Sequence, residues 1–468
     1  MRLLYSLRKH VLVFALIGLS AGLCDLRSQG ANPRPRRIAV FGSSVANGTG
    51  DEFRKEGYTG LLRELLAPMG WEVLNQSRGG DTTKSLATRW APEGDPAPNT
   101  RYLLPVKPSY VVIGLSLANE GILEARTKQE KDAVFTQYAE GIKGFIAKAR
   151  QNNIVPIIAL VYPRMTFTPV EYEYVRRMNL LQNSWDVPSI NFLGATDDGN
   201  GKYTIGFDYD DKHPNAAGHR EFMLSIVPTL FEALEKGKPT PKRQVTGQGF
   251  AKLVGGAPLM FMPNNPMHSF AYGVTVRAQD IGNVGMIGGV TLGAETESKT
   301  SGQTTFQSSA LSVKGSFEAR IAIEGGMWSY AGSNGQTIRS EVAADSGWHN
   351  LMVSHYAARG ETLFYVDGKL AGKVVERLQP TLFVLGSPRS ADFKDVFVYR
   401  AALNSDEVAA LQSGQMLQAS LEIYSPLSDG EFGDNIPVEN RAQSMTHFII
   451  GGGDVFHVAD EPAPTRKP

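Results

Sequence analysis

Two short segments of this sequence hold residue types that can act on one another chemically. The first, Phe41-Gly42-Ser43-Ser44-Val45-Ala46-Asn47-Gly48, is a glycine-bounded loop at the end of an apolar run. A serine at the C-terminal end of a strand is held outward with its own amide beside it. That arrangement suits a nucleophile, which needs a base in reach and a donor for an oxyanion. Two plainer readings compete, a glycine-rich anion loop and a helix cap. The loop lacks the Gly-Lys-Ser/Thr ending of a nucleotide-binding P-loop, which disfavours phosphate. The second segment is Asp210-Asp211-Lys212-His213-Pro214-Asn215. An acid three residues before a histidine can fix the imidazole tautomer, leaving the other nitrogen to accept a serine proton. Asp-x-x-His by itself is commonly a surface loop. Followed here by Pro-Asn and then Gly218-His219, it becomes the candidate acid–base pair for Ser44. Among the other histidines, His219 belongs to a helix start, and His349 and His355 fall in a different part of the chain.

Two further segments offer donors for developing negative charge. Asn75-Gln76-Ser77-Arg78-Gly79-Gly80-Asp81-Thr82-Thr83 presents flexible backbone amides, and Ile113 to Gly121 contains the side-chain amide of Asn119. Taken singly, Gly80 reads as a tight turn and Asn119 as a loop-structuring residue.

The elements that would bring these segments together follow from apolar periodicity. Ile38–Phe41, Trp71–Leu74, Tyr110–Leu115, Ile154–Val161 and Ile190–Phe192 read as strands. Helical spacing recurs through Tyr58–Leu66, Val134–Ile146 and Val175–Leu181, and a last helix is expected over 216–234. Strands alternating with helices predict a three-layer α/β domain over 37–236, with a parallel sheet covered on both faces and its site at the strands' C-terminal ends. A linker and junction is expected over 237–267, because Lys236 to Arg243 holds two prolines and no apolar anchor. Period two then takes over, as in Phe270-x-Tyr272-x-Val274-x-Val276. Thr362–Val366 runs into the hairpin signal Asp367-Gly368. An all-β sandwich is expected over 268–415, with a C-terminal extension over 416–459 packed on it and a disordered tail over 460–468.

The four chemical segments, in their order and spacing over roughly 37–236, resemble the four blocks of the SGNH (GDSL-type) hydrolases, esterases and lipases with a flavodoxin-like sheet. The resemblance implies Ser44 as nucleophile and Asp210 and His213 as the other triad members. It also implies an oxyanion hole from the Ser44 amide, the Gly80 amide and Asn119. Two positions depart from the family pattern, which has Asp where this chain has Ser43 and Asp where it has Glu120. An α/β-hydrolase is the nearest rival, since Gly42-Ser43-Ser44-Val45-Ala46 nearly matches Gly-x-Ser-x-Gly. Against it, the serine follows the first strand and the acid sits three residues from the histidine. The second domain, from Gly347-Trp348-His349 through Phe393 to Leu403 and Ser405-Asp406-Glu407-Val408, resembles the laminin-G-like, concanavalin A-like jelly roll, which implies a glycan or protein ligand, with calcium in some members. Trp328, Trp348 and Tyr330 could stack on sugar rings, but aromatics in a sandwich are more often core.

Composition bounds the function. Lys+Arg and Asp+Glu are both 47, so no basic excess points to nucleic acid. A single cysteine, Cys24, excludes an internal disulfide and a thiolate zinc cluster. The acids Asp197, Asp198, Asp208, Asp210 and Asp211 lack an EF-hand pattern and read as a solvated loop with one catalytic member, so no metal and no cofactor are expected. The basic start Met1–His10 and apolar run Val11–Leu23 form an export signal, with 1–31 as its segment. Ser20-Ala21-Gly22-Leu23-Cys24 also resembles a lipobox, so lipid anchoring at Cys24 stands beside plain cleavage near Ala31. The combined expectation is an exported serine esterase acting through an acyl-Ser44 intermediate. Its preferred substrate is an O-acetyl ester on a polysaccharide held by the sandwich. A lipase or short-chain esterase and an inactive glycan-binding surface protein are the alternatives. Because the sandwich holds no member of the triad, deletion from about Gln244 is expected to spare hydrolysis of a small ester.

Overall fold

Ile38, Ala39, Val40 and Phe41 are all wholly buried, as in a strand covered on both faces. They form β1 (Arg37–Gly42) of a five-stranded sheet with β2 (Glu72–Asn75), β3 (Tyr110–Gly114), β4 (Val155–Ala159) and β5 (Ser189–Ile190). Every pairing is parallel and the order is β2-β1-β3-β4-β5. The structure, a computed structural model, describes residues 35–92, 100–243, 249–254, 259–263, 265, 267–278, 286–292, 319–385, 391–427, 437–450 and 454–458. The expected export segment 1–31 with Cys24, the truncation point Gln244 and the tail 460–468 lie outside these residues.

Alternate strand residues feed two cores. Ala39, Phe41, Val111 and Ile113 pack with Tyr138, Ile142 and Phe145 of α3 (Lys128–Gln151) and with Val175 and Met178 of α4 (Pro169–Asn183). On the opposite face Ile38, Val40, Tyr110 and Val112 pack with Tyr58 and Leu62 of α1 (Gly57–Leu66) and with Phe222 and Phe231. Both long helices begin in capping boxes, Thr127 with Glu130 and Thr168 with Glu171, which satisfy the first free amides. A short helix α2 (Thr83–Thr88) follows β2, and α5 (Leu193–Thr196) follows β5. The helix expected over 216–234 is two helices, α6 (Ala216–Leu224) and α7 (Leu230–Glu235). Pro228 separates them, since proline excludes the helical conformation from the residue before it. The strand expected at Ile190–Phe192 is likewise shorter, because Phe192 already turns into α5.

The C-terminal part is a pair of antiparallel sheets. One contains β6 (Phe250–Val254), β8 (Phe270–Ala278), β13 (His349–Tyr356), β14 (Glu361–Val366), β15 (Lys369–Val375), β17 (Ala391–Tyr399), β18 (Leu421–Ser425) and β21 (Asp454–Val458). The other contains β7 (Leu259–Phe261), β9 (Met286–Leu292), β10 (Ala319–Glu324), β11 (Met327–Ala331), β12 (Thr337–Ala343), β16 (Pro380–Leu385), β19 (Pro437–Val438) and β20 (Phe448–Ile450). Tyr272, Val274 and Phe393 from the first meet Phe261, Tyr330 and Phe383 from the second in one core, as in a β-sandwich. Asp367 and Gly368 both have positive φ, 50° and 77°, as the two-residue turn between β14 and β15 requires. The sheets take in more chain than the period-two pattern reveals. β6 and β7 lie inside the segment read as junction, and β18–β21 lie inside the segment read as a packed extension. Trp328 and Tyr330 are core residues, whereas Trp348 is half-buried against Phe250 and Arg277.

The two parts share a boundary crossed by many hydrogen bonds. Asn191 donates from its backbone to Ser420 Oγ at 2.8 Å and from its side chain to Glu407 at 3.0 Å. Asn183 accepts from the amides of Gln418 and Ala419, and Thr229 accepts from Met445. Removing the sandwich would expose these groups to water and forfeit their hydrogen bonds across the boundary, at about 0.5–1.5 kcal/mol each. This differs from the tethered module that the proline-bearing linker suggests.

Candidate active site

Gly42 closes β1 against β3 so tightly that a Cβ on it would lie 2.0 Å from the Gly114 carbonyl oxygen. The chain then turns at once. Ser43 N–H donates to Gly114, and the Ser43, Val45 and Ser44 carbonyls accept from Asn47, Gly48 and Thr49. This coil leaves Ser44 half-buried at the sheet's C-terminal edge.

His213 arrives from the loop between α5 and α6. Its Nε2 is 2.9 Å from Ser44 Oγ, and its Nδ1 is 2.9 Å from each Asp210 carboxylate oxygen. Asp210 Oδ1 also accepts from the backbone amides of Lys212 (2.7 Å) and His213 (2.9 Å). Burial acts to raise the Asp210 carboxyl, but the His213 side chain and these amides outweigh it and hold the group below the usual carboxylate range. Asp210 therefore stays anionic and selects the tautomer with the proton on Nδ1. The loop is held at its neck, where Tyr209 N–H donates to the His213 carbonyl and Asn215 caps α6 while donating to Gly206. Gly50, in the chain after Ser44, lies against this loop; a Cβ there would meet the Pro214 carbonyl at 2.2 Å. His219 is not part of the triad. Its Nε2 donates to the Thr49 carbonyl, its Nδ1 accepts from Tyr58 N–H, and burial pushes it down to about 4, so it is a neutral brace.

The donors lie beside the serine. A Cβ on Gly79 would be 3.7 Å from Ser44 Cβ, and Gly80 has φ 82°, a conformation suited to glycine. Neither the Ser44 nor the Gly80 amide donates a hydrogen bond among the described residues. Asn119 Nδ2 donates to the Asp81 carbonyl at 3.1 Å, which puts its amide next to the Gly80 peptide with one N–H to spare. All five residues singled out in the sequence thus sit at one sheet edge.

One supporting group escaped the sequence reading, and a second was noted there as a departure from the family pattern. Asp81 is buried and paired with the equally buried Arg89, whose guanidinium lies 4.8 Å over the Phe41 ring and donates to Gln76. Glu120, the departure noted above, accepts from Thr83 N–H (2.9 Å), the Thr83 hydroxyl and Gln137 (2.9 Å), and so ties the Asn119 loop to the start of α2. Ser43, the other departure, is buried with its Oγ 3.4 Å from the Tyr162 hydroxyl. A buried carboxylate is hard to foresee from its neighbours in sequence when its partner arrives from another loop. The five loop acids do not converge: Asp197 accepts from Tyr172 and Gly201, Asp198 from Asn200 and Lys202, and Asp210 serves His213.

Residues 40–221 match the model of the GDSL-like Lipase/Acylhydrolase family. No curated protein sequence matches the chain. Among solved structures, the chain is similar to one described as a lipolytic protein of the G-D-S-L family from Desulfitobacterium hafniense, at 18% identity and TM-score 0.32, over 40% of this chain and 95% of that one. An acetylxylan esterase from Geobacillus stearothermophilus is similar at 16% identity and TM-score 0.30, over 40% and 90%. A SAP-like pentraxin from Limulus polyphemus is similar at 10% identity and TM-score 0.30, over 46% and 98%. Likenesses this distant say nothing of what this chain acts on. The family match, laid over the parallel sheet and the residues at its C-terminal edge, supports a hydrolase domain of the GDSL-like lipase/acylhydrolase family over residues 40–221.

Proposed function

We propose that the protein is a serine esterase that hydrolyses carboxylic esters through an acyl-Ser44 intermediate. The observation that carries this is the unbroken hydrogen-bonded line from Ser44 through His213 to Asp210, with two unused amides and Asn119 beside the serine. His213 Nε2 takes the Ser44 proton as Oγ attacks the ester carbonyl, and the imidazolium is stabilised by Asp210. The amides of Ser44 and Gly80 and the free N–H of Asn119 receive the oxyanion. As the tetrahedral adduct collapses, His213 returns the proton to the leaving alcohol. Water, activated by the same nitrogen, then releases the acid. Hydrolysis of p-nitrophenyl acetate tests this. Ser44→Ala should lower kcat by about 10³-fold or more with the fold retained; unchanged turnover would remove Ser44.

The finer reading is an exported enzyme that removes O-acetyl groups from a polysaccharide, anchored through Cys24 if lipidated, with the sandwich as a laminin-G-like binding module. Acetate release from a panel of acetylated polysaccharides tests it. A lipid or short-chain ester substrate is the second reading, favoured by Phe53, Tyr209 and Ile205. These are exposed apolar side chains on the segments that follow Ser44 and precede Asp210. Tributyrin cleavage exceeding acetate release from glycans would favour it.

A further inference from the structure

The sandwich reaches into the hydrolase domain at the root of the loop that ends in Asp210 and His213. We infer that Arg359, on the turn between β13 and β14, is a positioning residue for that loop, acting through Gly199 and Asp197; this rests on the reading of Ser44, His213 and Asp210 above.

The loop starts where α5 is clamped by the sandwich. A Cβ on Gly194 would lie 2.0 Å from the Ala402 carbonyl oxygen, Ala402 N–H donates to Gly194, and Ser269 Oγ donates to Ala195. One turn later the chain passes under Arg359. The guanidinium lies against the Gly199 backbone, where a Cβ would come within 2.8 Å of Nη1, and its centre is 3.5 Å from the centroid of the Tyr356 ring. Arg359 Nε is buried and makes no hydrogen bond, although Nη1 is 3.5 Å from Glu361. A half-buried cation still costs solvation, so its retention calls for a negative charge that it serves. Glu361 has Lys373 as a second partner. Asp197 is buried and makes no ion pair with another cation among the described residues. Burial raises its carboxyl, and the Arg359 charge is the largest influence opposing that rise. Tyr172, Tyr356 and Glu407 are the other titratable groups facing it.

From Asp197 the line to the triad is continuous. Asp197 Oδ1 accepts from Gly201 N–H at 2.9 Å, and the Gly201 carbonyl accepts from Arg164 N–H at 2.9 Å. Met165, the next residue, donates to the Asp211 carbonyl at 3.2 Å, beside Asp210. A small displacement of a proton acceptor suffices to slow general-base catalysis. The sandwich is thereby a part of the catalytic frame.

The test uses the full chain and p-nitrophenyl acetate, with sites counted by covalent titration of Ser44 with a phosphonate ester and with Tm measured on each preparation. Arg359→Met should lower kcat per titrated site about tenfold while KM changes little. Arg359→Lys, which keeps the charge, should return most of that loss. Asp197→Asn in the Arg359→Met background should also restore kcat, because the uncompensated buried carboxylate is gone. Unchanged kcat per site in Arg359→Met, or a loss that Asp197→Asn does not relieve, overturns the inference. Ser44→Ala run alongside separates the two levels. An inactive Ser44→Ala with fully active Arg359→Met refutes only the positioning role, whereas an active Ser44→Ala refutes the serine mechanism and this inference with it.

Discussion

Asn119 donates to the carbonyl of Asp81, the residue directly after Gly80, so one candidate oxyanion donor braces the loop that carries another. Its amide has two hydrogens and this bond uses one. The side chain is thus a brace with one N–H left to offer an oxyanion. Asn119→Ala should lower kcat by about 10²- to 10³-fold, with substrate binding much less affected, since the developing oxyanion exists only near the transition state. The lost brace should add about 1 kcal/mol of destabilisation. Asn119→Asp should be at least as damaging, because a carboxylate repels the oxyanion. Turnover and Tm on one preparation decide it; an unstable variant with normal turnover per folded molecule would leave Asn119 a brace only.

Asp210→Asn should preserve the fold, since the side chain is partly exposed and bound locally, yet cut kcat by about 10³- to 10⁴-fold. The amide can donate to Nδ1, which stabilises the tautomer with its proton on Nε2, the nitrogen that must accept from Ser44. A loss below tenfold would show that another group orients His213.

Arg89→Met should destabilise by about 1–3 kcal/mol, because it removes the buried partner of the buried Asp81 carboxylate and leaves it only Arg78 and the Ser85 hydroxyl. Adding Asp81→Asn should recover most of this, since two coupled residues give a non-additive cycle. Urea unfolding of the four proteins measures the coupling, and additive effects would refute it.

Glu407 sets a pH dependence of stability. Burial first, and then the Asp406 and Asp197 charges, push its carboxyl up to about 8, against the bonds from Asn404 and Asn191. Between the ordinary carboxylate range and about 8 the folded protein keeps this proton and the unfolded chain has lost it. Stability from this group is therefore full at low pH and falls as pH rises through that window, by at most about 1.4 kcal/mol per unit. Glu407→Gln should flatten the slope between pH 5 and 8. An identical slope in the variant would place the titration elsewhere.

The hydrolase core was legible because each strand is an uninterrupted apolar run and each helix has an apolar stripe; Ile38–Phe41 and Tyr138–Phe145 need no partner to declare their burial. The hydrogen-bonded line of Ser44, His213 and Asp210 was legible for a related reason. Asp210 and His213 are local to each other, and Ser44 ends a strand whose edge is fixed by the parallel topology. What escaped was set by distant pairing. Asn191 and Glu407 look like surface residues until their loops meet, and Asp81 gives no sign that Arg89 closes over it. The strands at 250–261 and 437–458 escaped for the same reason, being short and defined by the neighbours that accept their backbone. Pro228 was the opposite case, a local signal outweighed by the apolar pattern on either side.

Because β6 pairs with β21 and β7 with β20, the first and last strands of the sandwich close its sheets on each other. During synthesis the hydrolase segment leaves the ribosome first, with the surface of Asn183, Asn191 and Gly194 uncovered. Its cover, which includes Gln418, Ser420 and Met445, is complete only once residue 445 has been made, an interval on the order of 10–40 s after residue 243 at cellular elongation rates. The half-made chain, with that surface bare and the β6 and β7 edges unpaired, is where a holding chaperone would find its purchase.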